Sequence, residues 1–333
     1  MRSQPVAIAP RHPRLEAQQM LPVGYEARVL EPSPPAVLDR WYADDPAVPG
    51  EKSSRLLVTP TTASATTWDD MAKRHPSLAG FASERWLASF RRLEALPPDF
   101  EETRGSLHQL AFFVLAPLRS VITGRIGLRY TKGGFGTPFF ATDEQVRIEG
   151  TSIIWQMRAT AHTVPLTSVQ DAAEFVGLVH RDSWFSGGFH DPPLPEDPTR
   201  KLSVGPAAAA ALADWFGFAT SVLEELRAGA TDDESVSRVQ LWPEHFDPAV
   251  ELGDSDQGGR ASFGASPGDA MYSEPYLYVS PWNKHDLVHS YWNASFGGAM
   301  LGYPELLAAK DQRLAALGFF EAGRRLLRGE PPD

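Results

Sequence analysis

The chain has no cysteine among its 333 residues. Disulfides, thiolate metal ligands and a cysteine nucleophile are therefore excluded, and a reducing, cytoplasmic setting fits. Long apolar runs are missing too. None approaches the roughly 18 residues that a membrane span needs, so no membrane partner is expected. Arg2, Arg11 and Arg14 lie near the start, but no apolar stretch follows them, and a signal peptide is not expected. Positive charge is in deficit: 31 Lys and Arg stand against 42 Asp and Glu, a net charge of −11. A surface of that sign repels phosphate backbones and argues against nucleic acid as a partner.

What the chain does contain is proline, 29 residues of it. Pro32, Pro34, Pro35, Pro46 and Pro49 interrupt residues 1–55, which read as an irregular N-terminal arm outside the body. Val29-Leu30, Ala36-Val37-Leu38 and Trp41-Tyr42 are its candidate apolar plugs. Residues 56–95 form an irregular lead-in. A strand begins there and is stopped by Pro60, and helical pieces are expected at 68–74 and 83–95.

From 96 to 328 the pattern is regular and marks the globular body. Leu107, Leu110, Ala111, Val114, Leu115 and Leu118 recur at helical spacing and predict an amphipathic core stripe. Ile126, Leu128 and Tyr130 alternate with Arg125, Gly127 and Arg129, as in a half-buried strand. Strands at 144–149, 152–157 and 162–166 follow closely, so an antiparallel meander is expected. Residues 165–177 switch to helix, with Thr167 and Gln170 as a capping box and Gly177 as the end. A loop at 181–205 precedes a long helix opened by Pro206, striped by Leu212, Trp215, Phe216, Ala219, Val222, Leu223 and Leu226. Further strands are expected at 237–242, 245–252, 260–265 and 275–280, and closing helices near 304–310 and 311–328. The fold class is α+β: antiparallel segments, as two meanders or one large sheet, packed by amphipathic helices. The repeated order suggests halves 96–205 and 206–328.

Leu241–Asp247, L-W-P-E-H-F-D, is the candidate site with the densest chemistry. In a strand over 245–252, His245, Asp247, Ala249 and Glu251 share one face, and Phe246, Pro248, Val250 and Leu252 the other. Pro248 lacks an amide hydrogen and marks the strand as an edge or bulge. By the same rule Tyr276 and Tyr278 share a face, so a polar-aromatic surface would collect them with His245 and Asp247. His245 would be the proton-transfer or hydrogen-bonding group and Asp247 its orienter. The bland alternative is a solvated sheet face with a structural His–Asp pair.

Gly133, Gly134 and Gly136 form a glycine-rich loop whose amides would face an anion, or else an ordinary turn. It matches neither the Walker A nor the G-x-G-x-x-G pattern. Ser266-Pro267-Gly268-Asp269 is a turn that would bring Asp269 to the same pocket, while Ser262 and Ser266 lack support as nucleophiles. His180, Asp182, His190 and Asp191 have some metal-ligand character, but a Gly-Gly loop separates them. His285 and His289 are spaced i, i+4 in what reads as a loop. No cofactor is expected and no metal ligand is assigned. The leading expectation is a small-molecule binding protein or an enzyme of unknown reaction with its pocket around His245 and Asp247; the alternatives are a non-catalytic interaction protein using its N-terminal arm or aromatic C-terminal third, and a metal-dependent hydrolase using the His180–Asp191 loop. Oligomeric state is left open.

Several stretches carry a resemblance: L-H-Q-L-A-F-F-V-L-A-P-L-R (107–119), G-R-I-G-L-R-Y-T-K-G-G-F-G-T-P (124–138), D-E-Q-V-R-I-E-G (143–150) and P-L-T-S-V-Q-D-A-A-E-F-V-G (165–177). So do F-H-D-P-P-L-P-E-D-P (189–198), V-Q-L-W-P-E-H-F-D (239–247), F-G-A-S-P-G-D-A (263–270), E-P-Y-L-Y-V-S-P-W (274–282) and W-N-A-S-F-G-G-A (292–299). Over about 96–328 the chain resembles an uncharacterised family of hypothetical proteins of high-GC Gram-positive bacteria. It is more distantly similar to a broader domain-of-unknown-function family with an H-F-D-bearing strand. The resemblance implies a shared architecture and brings no catalytic residues with it.

Overall fold

The computed structural model describes residues 92–331, with breaks at 124, 132, 139–143, 158–159, 179–196, 238, 255–258 and 286, together with three short strands before them. Those are β1 (Ala27–Val29), β2 (Leu56–Leu57) and β3 (Thr66–Thr67). β2 and β3 pair with each other, and β1 pairs antiparallel with a strand of the body. The expected helix at 68–74 and most of that at 83–95 lie outside the described residues. Residues 92–95 are not helical, and Leu93 is instead held by Gln312, whose side-chain amide bonds both its N–H (2.7 Å) and its carbonyl (3.1 Å).

The first helical column runs from α1 (Phe100–Leu110) through a π-helical turn (Ala111–Leu115) into α2 (Ala116–Thr123). All six residues of the predicted stripe are buried. The wide turn has a local cause in Pro117. It has no N–H for the carbonyl of Phe113, and its ring crowds that carbonyl, so the turn before it opens.

Five strands then form a meander: β4 (Arg129–Thr131), β5 (Gly134–Gly136), β6 (Glu144–Glu149), β7 (Ser152–Met157) and β8 (Thr160–Pro165), with β1 on the outer edge. Helix α3 (Val169–Phe175) follows. Its cap is Ser168, whose Oγ accepts the Asp171 amide at 3.0 Å, rather than the expected Thr167/Gln170 box. Both hydroxyls, Thr167 and Ser168, donate to the Asp171 carboxylate instead.

Helix α4 (Pro206–Ala228) leads into the second meander: β9 (Gln240–Trp242), β10 (Asp247–Leu252), β11 (Ala261–Ser266), β12 (Tyr276–Pro281) and β13 (Ala299–Gly302). Two helices close the described chain, α5 (Tyr303–Ala308) and α6 (Gln312–Leu327), the latter capped by Asp311. The fold class is α+β, as expected. Pro248 is the exception to its rule. β10 lies between β9 and β11, not at an edge. Its partner Leu241 turns its own N–H and C=O the other way, onto Leu128 (2.9 and 2.7 Å). The proline therefore occupies a non-hydrogen-bonded pair on that side. On the other side the ladder with β11 starts one residue later, at Ala249.

The Leu128–Leu241 bridge also joins the two meanders by their first strands. Read through it, the strand order is β1-β8-β7-β6-β5-β4-β9-β10-β11-β12-β13. Helix α4 packs on β4 and β5 of one meander and on β10 and β11 of the other, and α1 and α6 pack on α4. Its apolar length would suit a membrane span by composition alone, yet 72% of that stretch is buried inside the molecule. The rings of Trp215 and Phe216 on α4 are both fully buried.

Candidate functional site

Phe246 decides where the site lies. Its φ is +56°, a left-handed backbone that bulky residues seldom adopt. The ring is buried, stacked on His108 at 5.0 Å and edge-on to Phe135 at 4.9 Å and Phe216 at 5.1 Å. Packing on three sides holds the chain in this bend, so Pro243–Phe246 is a turn and β10 starts only at Asp247. The strand expected over 245–252 is thus two residues shorter, and the i, i+2 rule does not reach His245. The imidazole is exposed on the turn, and its expected pairing with Asp247 on one pleated face is corrected.

Asp247 itself points where the alternation places it, onto the face of the second sheet opposite the helices, with Tyr276 and Tyr278 on β12. Tyr278 stands opposite Gly264, and Gly264 opposite Ala249, so the tyrosine must reach across β11 to meet β10. Gly264 permits this, because a β-carbon there would collide with the Tyr278 ring. The phenol donates a short hydrogen bond to Asp247 Oδ2. Asp247 is only 2% exposed, and its Oδ1 is buried with no hydrogen-bond partner among the described residues. Burial pushes the carboxyl above its ordinary range, opposed by the Tyr278 hydrogen bond and the nearby charge of His245 and reinforced by Glu244. Burial and the Asp247 charge together raise the Tyr278 phenol well above its usual value.

A second acid–tyrosine pair lies beside the first. Tyr276 donates to Asp269 Oδ2 at 2.6 Å, while Asp269 Oδ1 accepts the amides of Met271 (2.7 Å) and Tyr272 (2.9 Å). Partial burial would raise Asp269, but these donors outweigh it and hold the carboxyl below the usual range. Burial and the bond to Asp269 raise Tyr276 in turn. The tyrosine rings run along one face, with Tyr272–Tyr276 centroids 5.3 Å apart and Tyr276–Tyr278 6.3 Å apart.

Two residues of α1 belong to this end of the sheet and were not expected there. Arg104 donates to the carbonyls of Ser273 (2.7 Å) and Pro267 (3.4 Å) and lies within the electrostatic reach of Asp269. His108 Nε2 pairs with the Pro243 carbonyl at 2.9 Å, pinning the turn, and burial lowers its pKa. The signal for Arg104 was in the sequence: 100, 104, 107 and 111 are helical core spacing, and a charged residue on that stripe needs partners.

The glycine loop does not contribute donors as expected. Gly134 and Gly136 lie in β5, paired on both sides by β4 and β6. A β-carbon on Gly136 would sit 2.6 Å from the Val146 carbonyl. Gly133 turns the hairpin at φ +78°. Their backbones serve the ladder and form no open cradle.

Gly264–Gly268 spells G-A-S-P-G, the letters of a nucleophile elbow, but the context differs: β11 leads through a loop to another strand, where that motif needs a helix. Ser266 Oγ accepts the Gly268 amide at 3.1 Å, and no histidine bonds it among the described residues. The His180–Asp191 cluster lies outside the described residues. His285 and His289 lie outside any helix and are exposed. Among the described residues no group of three His, Asp or Glu could hold a metal. The site brings together Asp247, Asp269, Tyr276 and Tyr278, with His245 at its rim, and leaves out Gly133, Gly134 and Gly136. No family model, curated protein or solved structure matches the chain, so the resemblance stated above rests on its own residues.

Proposed function

We infer that the protein binds a small molecule at the Asp247 end of the second sheet, with proton transfer by Asp247 as the chemistry the site can offer. The observation that carries this reading is the buried Asp247 carboxyl, with one oxygen held by Tyr278 and the other without a hydrogen-bond partner among the described residues. A buried polar atom left unpaired costs about 1–3 kcal/mol, so its retention calls for a reason. A carboxyl whose pKa burial raises can give or take a proton at higher pH than an ordinary aspartate. In this reading the protein is cytoplasmic, needs no cofactor or metal, and has neither nucleic acid nor membrane as a partner. The reading is tested by thermal-shift screening of a metabolite library on the full chain and on Asp247→Asn. Ligands should stabilise the parent and not the variant, and equal stabilisation of both would defeat the reading.

A second reading has one observation in its favour. Met271, Trp282 and Val288 are 68%, 58% and 94% exposed on the loops around β12. Exposed apolar side chains mark interaction surfaces when they group together. In that case the C-terminal third docks a protein partner, and Trp282→Ala with Val288→Ser should dissociate the complex while small-molecule binding persists.

A further inference from the structure

We propose that the Asp247 end of this site takes a cationic group, an alkylammonium or a guanidinium, with its charge at the Asp247 carboxylate and its alkyl part on the Tyr276 and Tyr278 rings. The proposal rests on the small-molecule reading and names the ligand class.

Two cations at this end of the molecule are already committed. Arg260 pairs with Glu251 at 3.2 Å and covers the Trp282 ring at 4.9 Å. Arg104 is spent on the carbonyls of Ser273 and Pro267 beside Asp269. Asp269 is satisfied by Tyr276 and two amides. Asp247 has no cation bonded to it among the described residues. Its side-chain hydrogen bond comes from a neutral phenol, its own backbone amide is the other donor, and Oδ1 is buried without a hydrogen-bond partner among the described residues. His245 acts on it through charge alone, and Glu244 adds negative charge beside it. An anionic ligand would have to sit against Asp247 and Glu244 in a protein of net charge −11, whereas a cation would complete the carboxylate.

Aromatic rings line the same sheet face beside the carboxylate. Tyr272, Tyr276 and Tyr278 present three aromatic rings in series, and a cation within about 6 Å of such a ring gains roughly 0.5–2 kcal/mol. Tyr278 rests on Gly264 and bonds Asp247 Oδ2 through its hydroxyl, and in the proposed complex its ring swings aside as the cation enters. A cation that enters replaces the phenol on the carboxylate.

Binding of this kind expels a proton, because a cation needs the charged form of a carboxyl that burial keeps protonated to higher pH. The groups facing Asp247 are Tyr276 and Tyr278 from β12 and Glu244 and His245 from the turn, with His108 of α1 behind His245. His108 gains positive charge only in stronger acid, because burial lowers its pKa, and there it opposes the ligand in the same direction as Asp247. Affinity therefore rises with pH.

The test is NMR titration of the full chain with n-butylammonium, butylguanidinium, butanol and butyrate, following the side chains of Asp247, Tyr276 and Tyr278. The two cations should shift these signals saturably, about tenfold more tightly near pH 8 than near pH 5, and butyrate should not. Asp247→Asn should weaken the cations by about tenfold or more. Tyr278→Phe, which keeps the ring and drops the competing hydroxyl, should retain or tighten them, and it serves if the Asn variant misfolds. Binding of butyrate or butanol at Asp247 as strong as that of the cations would overturn the cationic assignment and leave the small-molecule reading standing. Failure of all four probes would overturn the proposal as well, and the library screen would then decide that reading separately.

Discussion

Phe246, at φ +56° with its ring among His108, Phe135 and Phe216, is the residue on which the site turns. A left-handed non-glycine residue costs about 1–3 kcal/mol and persists only where packing enforces it. Phe246→Ala should therefore lower stability by about 3–5 kcal/mol in denaturant unfolding; a loss under about 1 kcal/mol would mean that the ring does not hold the turn. Sequence pattern placed Phe246 in the core correctly and His245 incorrectly for one reason: alternation sees which residues are apolar, and nothing in the letter F announces a positive φ. Asp247 makes a second residue-scale prediction. Its folded-state pKa lies above the unfolded value, so folding takes up a proton, and stability from this group is full in acid and declines as pH rises from about 4 through the folded value. Against Asp247→Asn, the parent should lose ground over that range in thermal melts at stepped pH. Parallel curves for the two proteins would exclude a raised carboxyl. Glu234 runs the other way. Burial would raise it, but its bonds to Arg324 at 2.7 and 2.6 Å win and lower it, so its contribution is lost as pH falls below the ordinary carboxylate range.

Among the elements, β11 governs the site through what it lacks. Gly264 leaves room for Tyr278 to cross to Asp247. Gly264→Ala should push the phenol off the carboxyl, costing about 1–3 kcal/mol from overpacking. The Tyr278 hydroxyl signal should move to that of a solvated phenol. An unchanged signal would show that the ring does not lie on the glycine. The long helices were legible because apolar residues recur along them at helical spacing, and the strands from 144 to 157 because Val146, Ile148, Ile153 and Ile154 fall in two short runs parted by Gly150, although burial along them does not alternate strictly. β13 was not, since A-M-L-G is only four residues, follows Gly298 and ends in a glycine, and has three of its residues only half-buried. The shift of the α3 cap from Thr167 to Ser168 is a one-residue matter that hydroxyl chemistry alone does not separate.

At the scale of the whole molecule, the described body has one hydrophobic core cluster, with α4 packed against strands of both meanders. The helix–meander order repeats in sequence, but the suggested halves 96–205 and 206–328 share this helix and the Leu128–Leu241 joint. Unfolding of the body should therefore be a single cooperative transition, with fluorescence and far-UV dichroism coincident, and neither half should fold alone. Two separated transitions would show that the meanders are independent. This joining was visible in the sequence only as an alternative, because which edge strands meet is set by long-range packing and not by local pattern.

Central to the site is Asp247, a buried carboxyl bonded to Tyr278 and raised by burial above its ordinary range. Its most direct test is a ¹³C NMR titration of the Asp247 side-chain carbon in the parent and in Tyr278→Phe. The account predicts a midpoint above the ordinary aspartate value of about 4, moving higher still when the phenol that stabilises the charged form is removed. A midpoint at or below that value, unmoved in Tyr278→Phe, would contradict it.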